Sequence, residues 1–181
     1  KAFVIRVSQS SLLLPSTGFA PGRLTRLNLP LPGMELDTSV NLLLEIPRLQ
    51  VSVPIVGVPV EDGEWQTDWL GNAAGWLWGS AFPTWQGNSV LAGHNYLSDG
   101  SAGPFIGLDA LQYGDEIWVR SYGNTYVDSV QTVSYTSPDS TSVLTHEEKA
   151  WLTLITCRSY DEKTGTYWWR VVVRAILVEI R

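Results

Sequence analysis

The sequence predicts an all-β protein, folded as a closed barrel or a sandwich. Three observations point there. From about Leu24 onward, β-branched and aromatic residues are broken at short intervals by Gly, Pro, Asp and Asn. Segments with helical character are few and short, while the candidate strands are evenly spaced. Nine Trp, seven Tyr and four Phe among 181 residues supply the walls of an aromatic core or cleft.

The elements follow in chain order. Residues 1–24 read as an extended arm, because Leu12–Gly22 gathers two prolines, two glycines and a Ser/Thr cluster. Residues 25–181 form the body. Leu42–Ile46 and Val51–Val58 read as strands either side of Pro47; in the second, Val51, Val53 and Ile55 alternate with Ser52 and Pro54. Short helical pieces are expected near 68–76 and 104–111. Asn88–Gly93 reads as a short strand ending at His94. Glu116–Ser121 and Thr125–Tyr135 flank Gly123-Asn124, a hairpin signal. Thr145 with Glu148 forms a capping box, so 145–150 is expected to be helical. Trp151–Cys157 and Tyr167–Ile180 are the strongest strands, nearly all strand-forming residues.

Charge narrows the function. The formal net charge is −6 and the only lysines are Lys1, Lys149 and Lys163, so no basic patch offers itself to nucleic acid or an anionic membrane. No apolar run approaches the ~18 residues that span a bilayer. The chain opens at Lys1 with neither an initiating Met nor a signal peptide, as expected of a trimmed or processed form. Its single cysteine, Cys157, rules out an internal disulfide and a multi-cysteine zinc site. No metal site is assigned: Glu61, Asp62 and Glu64 read as a solvated acidic turn.

A lone thiol is either a small core residue or a nucleophile. Cys157 closes an apolar run, where the chain turns polar at Arg158-Ser159-Tyr160-Asp161. A free cysteine is only a few per cent thiolate at neutral pH, so a nucleophile needs a base or a cation beside it. His94, between Gly93 and Asn95 at a strand end, is the favoured base. His146, in the first turn of the capped segment, is expected to face solvent. Arg170 opens the last strand and shares a face with Val172 and Arg174. Its permanent charge must find an anion, a carbonyl or water. It can serve a substrate carbonyl or oxyanion, or simply pair with Asp161 or Glu179.

These residues resemble the sortase family of cysteine transpeptidases. Thr153-Leu154-Ile155-Thr156-Cys157 resembles the family's Thr-Leu-x-Thr-Cys signature, and Arg170 follows at the family's distance, leading into Val-Val-Val-Arg. Gly75-Trp76-Leu77-Trp78-Gly79-Ser80 and Gly87–His94 resemble the approach to the family histidine. Phe105, Leu108, Leu111 and Gly114-Asp115-Glu116-Ile117 match further downstream patterns. The resemblance covers about residues 35–181 and sits nearer the housekeeping groups than the pilin polymerases. It implies a closed eight-stranded barrel whose groove carries Cys157, His94 and Arg170. It implies that Cys157 attacks the Thr–Gly bond of a Leu-Pro-x-Thr-Gly sorting signal and forms a thioester. Arg170 would orient the substrate and stabilise the oxyanion; His94 would protonate the leaving amine and then activate the incoming one, with thiol and imidazole largely neutral. The loop Arg158–Thr166 would border the groove, and Thr156 would touch the substrate. No cofactor is implied. The implied partners are surface proteins bearing a sorting signal and an amine of cell wall or pilin. The implied place is the extracellular face of the membrane, with the anchor outside this sequence.

The arm itself contains Leu14-Pro15-Ser16-Thr17-Gly18, which fits that signal. A tethered copy competes for a groove at up to about millimolar effective concentration. It can occupy the groove as a substrate-like lid, in its own or a neighbouring molecule, or be cut between Thr17 and Gly18. Occupancy is the favoured expectation. Two other readings compete with a transpeptidase: a hydrolytic cysteine endopeptidase, and a non-enzymatic all-β adhesion module with a buried, inert Cys157.

Overall fold

In the computed structural model, residues 13–27 and 41–181 are described. Residues 1–12 and 28–40, including the first half of the expected arm, lie outside the described residues. The strands are β1 (Leu43–Ile46), β2 (Val51–Val58), β3 (Val60–Glu61), β4 (Glu64–Trp65), β5 (Ala74–Leu77), β6 (Gly87–Ala92), β7 (Glu116–Ser121), β8 (Asn124–Thr136), β9 (Ala150–Asp161) and β10 (Thr166–Ile180). Eight of them close into a barrel in the order β1-β2-β5-β6-β9-β10-β8-β7, with β1 pairing back to β7. The β2–β5 and β6–β9 pairs are parallel, the others antiparallel. The small β3–β4 hairpin carries Glu61 and Glu64.

Alternation along the strands creates two apolar layers. Leu152 and Leu154 on β9 and Val171, Val173 and Ala175 on β10 point into the barrel, against Leu44, Ile46, Leu91 and Phe105. Ile155 points outward and joins Val56, Val58, Leu70, Leu77 and Val90 in a second cluster on the outer wall; Leu14 of the arm completes it. By the same period Cys157 shares the outer face with Ile155.

Four local expectations are corrected. Residues 145–150 form no helix. The short 3-10 turn lies at Thr141–Leu144 instead, the Asn88 side chain donates to the Val143 and Thr145 carbonyls, and Gly87 N–H bonds Lys149 O. Docking onto β6 thus takes the Thr145 and Lys149 carbonyls that a helix here would have used for its own bonds, while Thr145 N–H turns back to Ser142 O. The 68–76 segment holds only the 3-10 turn Asp68–Leu70 before β5 begins, and 104–111 only the turn Leu108–Ala110. The hairpin joining β7 and β8 turns on Tyr122-Gly123, closed by the Ser121↔Asn124 pair, one residue earlier than the Gly-Asn signal suggests. Tyr122 and Gly123 have φ of 48° and 83°, the left-handed pair that matches strand twist in a tight hairpin.

Candidate active site

The register of β9 and β10 pairs Cys157 directly with Arg170, so their side chains are cross-strand neighbours on the outer wall. Cys157 is not at a strand end: β9 runs four residues further, paired with the start of β10, and this extension carries the Arg158–Thr166 segment past the barrel. His94 arrives from β6, the parallel neighbour of β9, two residues beyond its end. Three contacts fix that short link: Gly93 N–H bonds Ile155 O, the Thr156 hydroxyl donates to Gly93 O at 2.8 Å, and Phe105 N–H bonds His94 O. Two glycines let the backbone pass. A Cβ on Gly93 would lie 2.7 Å from the Phe105 ring, and one on Gly103 would lie 2.3 Å from the His94 carbonyl oxygen. Thr156, expected against the substrate, spends its hydroxyl on Gly93 and, being next to Cys157, points to the opposite face. The structure does not bring it to the arm.

The groove over these residues is filled by the chain's own residues 14–19. Leu14 is 2% exposed in the outer apolar cluster, and its N–H bonds Pro138 O. Pro15 O accepts from Arg170 Nε at 2.9 Å, and Ser16 O from the Thr67 hydroxyl at 2.7 Å. Thr17 is fully buried; its N–H points at Cys157 Sγ at 3.1 Å and its hydroxyl lies 3.7 Å from the same sulfur. Thr17 O accepts from Asn95 N–H at 2.9 Å, and Asn95 Nδ2 donates to Cys157 O at 2.7 Å. Beyond Gly18, Phe19 N–H bonds Tyr96 O, the Tyr167 hydroxyl donates to Phe19 O at 2.7 Å, and the Phe19 ring lies 5.0 Å from the His94 ring.

Electrostatics separates the three side chains. Cys157 has no exposed surface because Thr17 covers it. His94 is 1% exposed and neither ring nitrogen has a hydrogen-bond partner among the described residues. Its desolvation lowers the imidazole pKa below the ordinary value, outweighing the nearby backbone of Thr67, Thr17 and Asp68 and the Asp68 charge. Arg170, 5% exposed, meets carbonyl oxygens of Pro15, Tyr167 and Trp169 and no acid among the described residues. Neither pairing considered for it, with Asp161 or Glu179, forms. Burial, with the Cys157 thiol next in weight, raises the Tyr167 phenol pKa, so its hydroxyl stays a donor. His146 is exposed beside Gly87, at the far end of β6 from this groove.

Sequence reasoning did not single out Asn95, Thr67, Tyr96 or Tyr167. Asn95 carried a faint signal as the residue after His94. Tyr96 contributes its backbone carbonyl, which leaves no mark on residue type, while Thr67 and Tyr167 bring hydroxyls from positions far away in sequence.

A family model described as the sortase domain matches residues 44–178. The chain is similar to sortase A of Bacillus anthracis, 35% identical over 82 residues; the match spans 45% of this chain and 38% of that protein. Among solved structures it is similar to a Clostridium perfringens sortase D5 transpeptidase, at 27% identity and TM-score 0.61, over 77% of this chain and 79% of that one. It is also similar to a lid mutant of Corynebacterium diphtheriae sortase A, at 29% identity and TM-score 0.65, over 77% and 70% of the two chains.

Proposed function

The chain belongs to the sortase family, and from that premise we propose that it is a cysteine transpeptidase acting on Leu-Pro-x-Thr-Gly sorting signals. Cys157 is the nucleophile. Its sulfur attacks the threonine carbonyl carbon, the bond to glycine breaks, and a thioester forms. His94, neutral at working pH, passes the thiol proton to the leaving amine and later takes one from the incoming amine. Arg170 grips the proline carbonyl and so sets the register of the signal. The Asn95 N–H faces the oxygen that becomes the oxyanion, where a fixed donor is worth most.

The observation that supports this reading is the arm in its own groove. A Leu-Pro-Ser-Thr-Gly segment lies with its proline carbonyl on Arg170 and its threonine N–H on Cys157. The arm is read as a substrate-like lid that an incoming signal must displace. The acceptor is a primary amine of cell wall or pilin, and the products are anchored surface proteins. The enzyme is placed at the extracellular face, held by a segment outside this sequence; no helix among the described residues is long and apolar enough to cross a membrane.

The test is incubation with a quenched Leu-Pro-Ser-Thr-Gly peptide, with and without triglycine, followed by mass spectrometry. Cleavage after threonine and triglycine-dependent ligation are expected, both abolished in Cys157→Ala and at least about 100-fold slower in His94→Ala. A wild-type chain that leaves the peptide whole overturns the reading.

A further inference from the structure

The groove grips its lid on both sides of the bond between Thr17 and Gly18. Upstream, Leu14, Pro15, Ser16 and Thr17 each bond the barrel through a backbone group. Downstream, four hydrogen bonds hold the other half: Phe19 N–H to Tyr96 O, Tyr167 hydroxyl to Phe19 O, Gly22 N–H to Gly100 O at 2.9 Å and Thr25 N–H to Ser98 O at 2.6 Å. Arg23 adds an ion pair with Glu162. The residue at the bond is itself constrained. A Cβ on Gly18 would meet the Tyr167 ring at 3.0–3.2 Å, so the position next to Thr17 accepts only glycine without a shift of the ring. An inert plug needs neither a glycine there nor a threonine carbonyl held by Asn95 N–H.

We propose, resting on the transpeptidase reading, that the arm is an internal substrate whose leaving group is retained. The Cys157 sulfur bonds to the Thr17 carbonyl carbon and the Thr17–Gly18 bond breaks. The thiol proton travels through His94 to the Gly18 nitrogen, which leaves as an amine. That amine stays in the groove, because its four downstream hydrogen bonds do not depend on the bond just broken. Intramolecular return then outruns water, because the retained Gly18 amine is held beside the thioester and is the stronger nucleophile. The arm is therefore cut and resealed repeatedly, and the intact chain dominates until an external primary amine intercepts the thioester. Interception transfers everything upstream of Gly18 to that amine and leaves a barrel beginning at Gly18. The lid and the self-cut arm are thus two stages of one cycle.

The experiment uses the full chain with hydroxylamine as the amine. Intact mass without hydroxylamine, and splitting with it into a fragment starting at Gly18 and one ending in a Thr17 hydroxamate, is expected. The rate should not depend on protein concentration, and Cys157→Ala should stay whole. Tyr167→Phe, checked for an unchanged melting temperature, should release Gly18 more readily and raise splitting by water about fivefold. If the arm stays whole in hydroxylamine while added Leu-Pro-Ser-Thr-Gly peptide is cleaved, this inference falls and the transpeptidase reading stands. If neither is cut, the transpeptidase reading falls and takes this one with it. A splitting rate that grows with protein concentration, or a Tyr167→Phe chain no leakier than its parent, overturns the retained leaving group.

Discussion

Arg170 spends its guanidinium on carbonyl oxygens, and the geometry of the fork decides what can replace it. Nε points at Pro15 O at 2.9 Å while Nη1 lies 3.5 Å from Tyr167 O and 3.3 Å from Trp169 O, a planar set that an ammonium cannot copy. Arg170→Lys should lower kcat/KM on the signal peptide by about 100-fold with little change in melting temperature. His94 gives a pH dependence. Its folded pKa lies below the unfolded value of about 6.5, so the neutral, arm-covered state is fully favoured above that value and is lost as pH falls beneath it. Hydrogen exchange at Thr17 and Phe19, corrected for intrinsic rates, should speed up between pH 7 and pH 5, and should not in His94→Gln. Asp128 has the opposite slope. It is 6% exposed, and burial pushes its carboxyl up to about 7. The contribution of Asp128 to stability is most favourable below about pH 4 and declines as pH rises toward 7, while the unfolded chain ionises and the folded one resists. At about 1.4 kcal/mol per tenfold in proton affinity, the deficit at pH 8 is on the order of 4 kcal/mol. Asp128→Asn should therefore raise the melting temperature at pH 8 and leave it nearly unchanged at pH 4.

At the scale of elements, the two loops entering the groove depend on close backbone passage. Gly103→Ala would set a methyl 2.3 Å from His94 O. A peptide-cleavage loss of about tenfold or more, with a melting temperature lower by a few degrees, is expected. Four strands are legible in the sequence: β2 and β7 match their expected bounds, and β9 and β10 begin within a residue of theirs. Their signal is a run of β-branched and aromatic residues too long to be anything else. β5 was not legible, because Ala74-Gly75-Trp76-Leu77 carries weak strand propensity and forms by pairing in parallel with β2. The capping box at Thr145 misled because Asn88 on β6, 57 residues away in sequence, takes the Thr145 carbonyl that would open a helix. For the groove, residue types announced Cys157, His94 and Arg170. They could not announce that Arg170 meets carbonyls rather than an acid, nor that the Asn95 N–H meets the Thr17 carbonyl.

For the whole molecule, the arm is held by an apolar anchor in the outer cluster and by a ladder of hydrogen bonds through its backbone. Leu14 supplies the anchor, and its burial in the outer cluster is worth roughly 1.5–3 kcal/mol. Leu14→Asp puts a carboxylate in that apolar pocket, so the arm should lift and iodoacetamide should reach Cys157 about 10- to 100-fold faster, without loss of the barrel's own melting transition. The thiol covered by Thr17 is also out of reach of peroxide. Oxidation of cysteine to sulfenic and then irreversibly to sulfinic acid follows exposure of the sulfur. With the arm down the Cys157 sulfur is sealed, and only molecules caught with the arm raised are at risk. Peroxide should spare the resting enzyme and inactivate Leu14→Asp, which makes the arm a preservative as well as a plug.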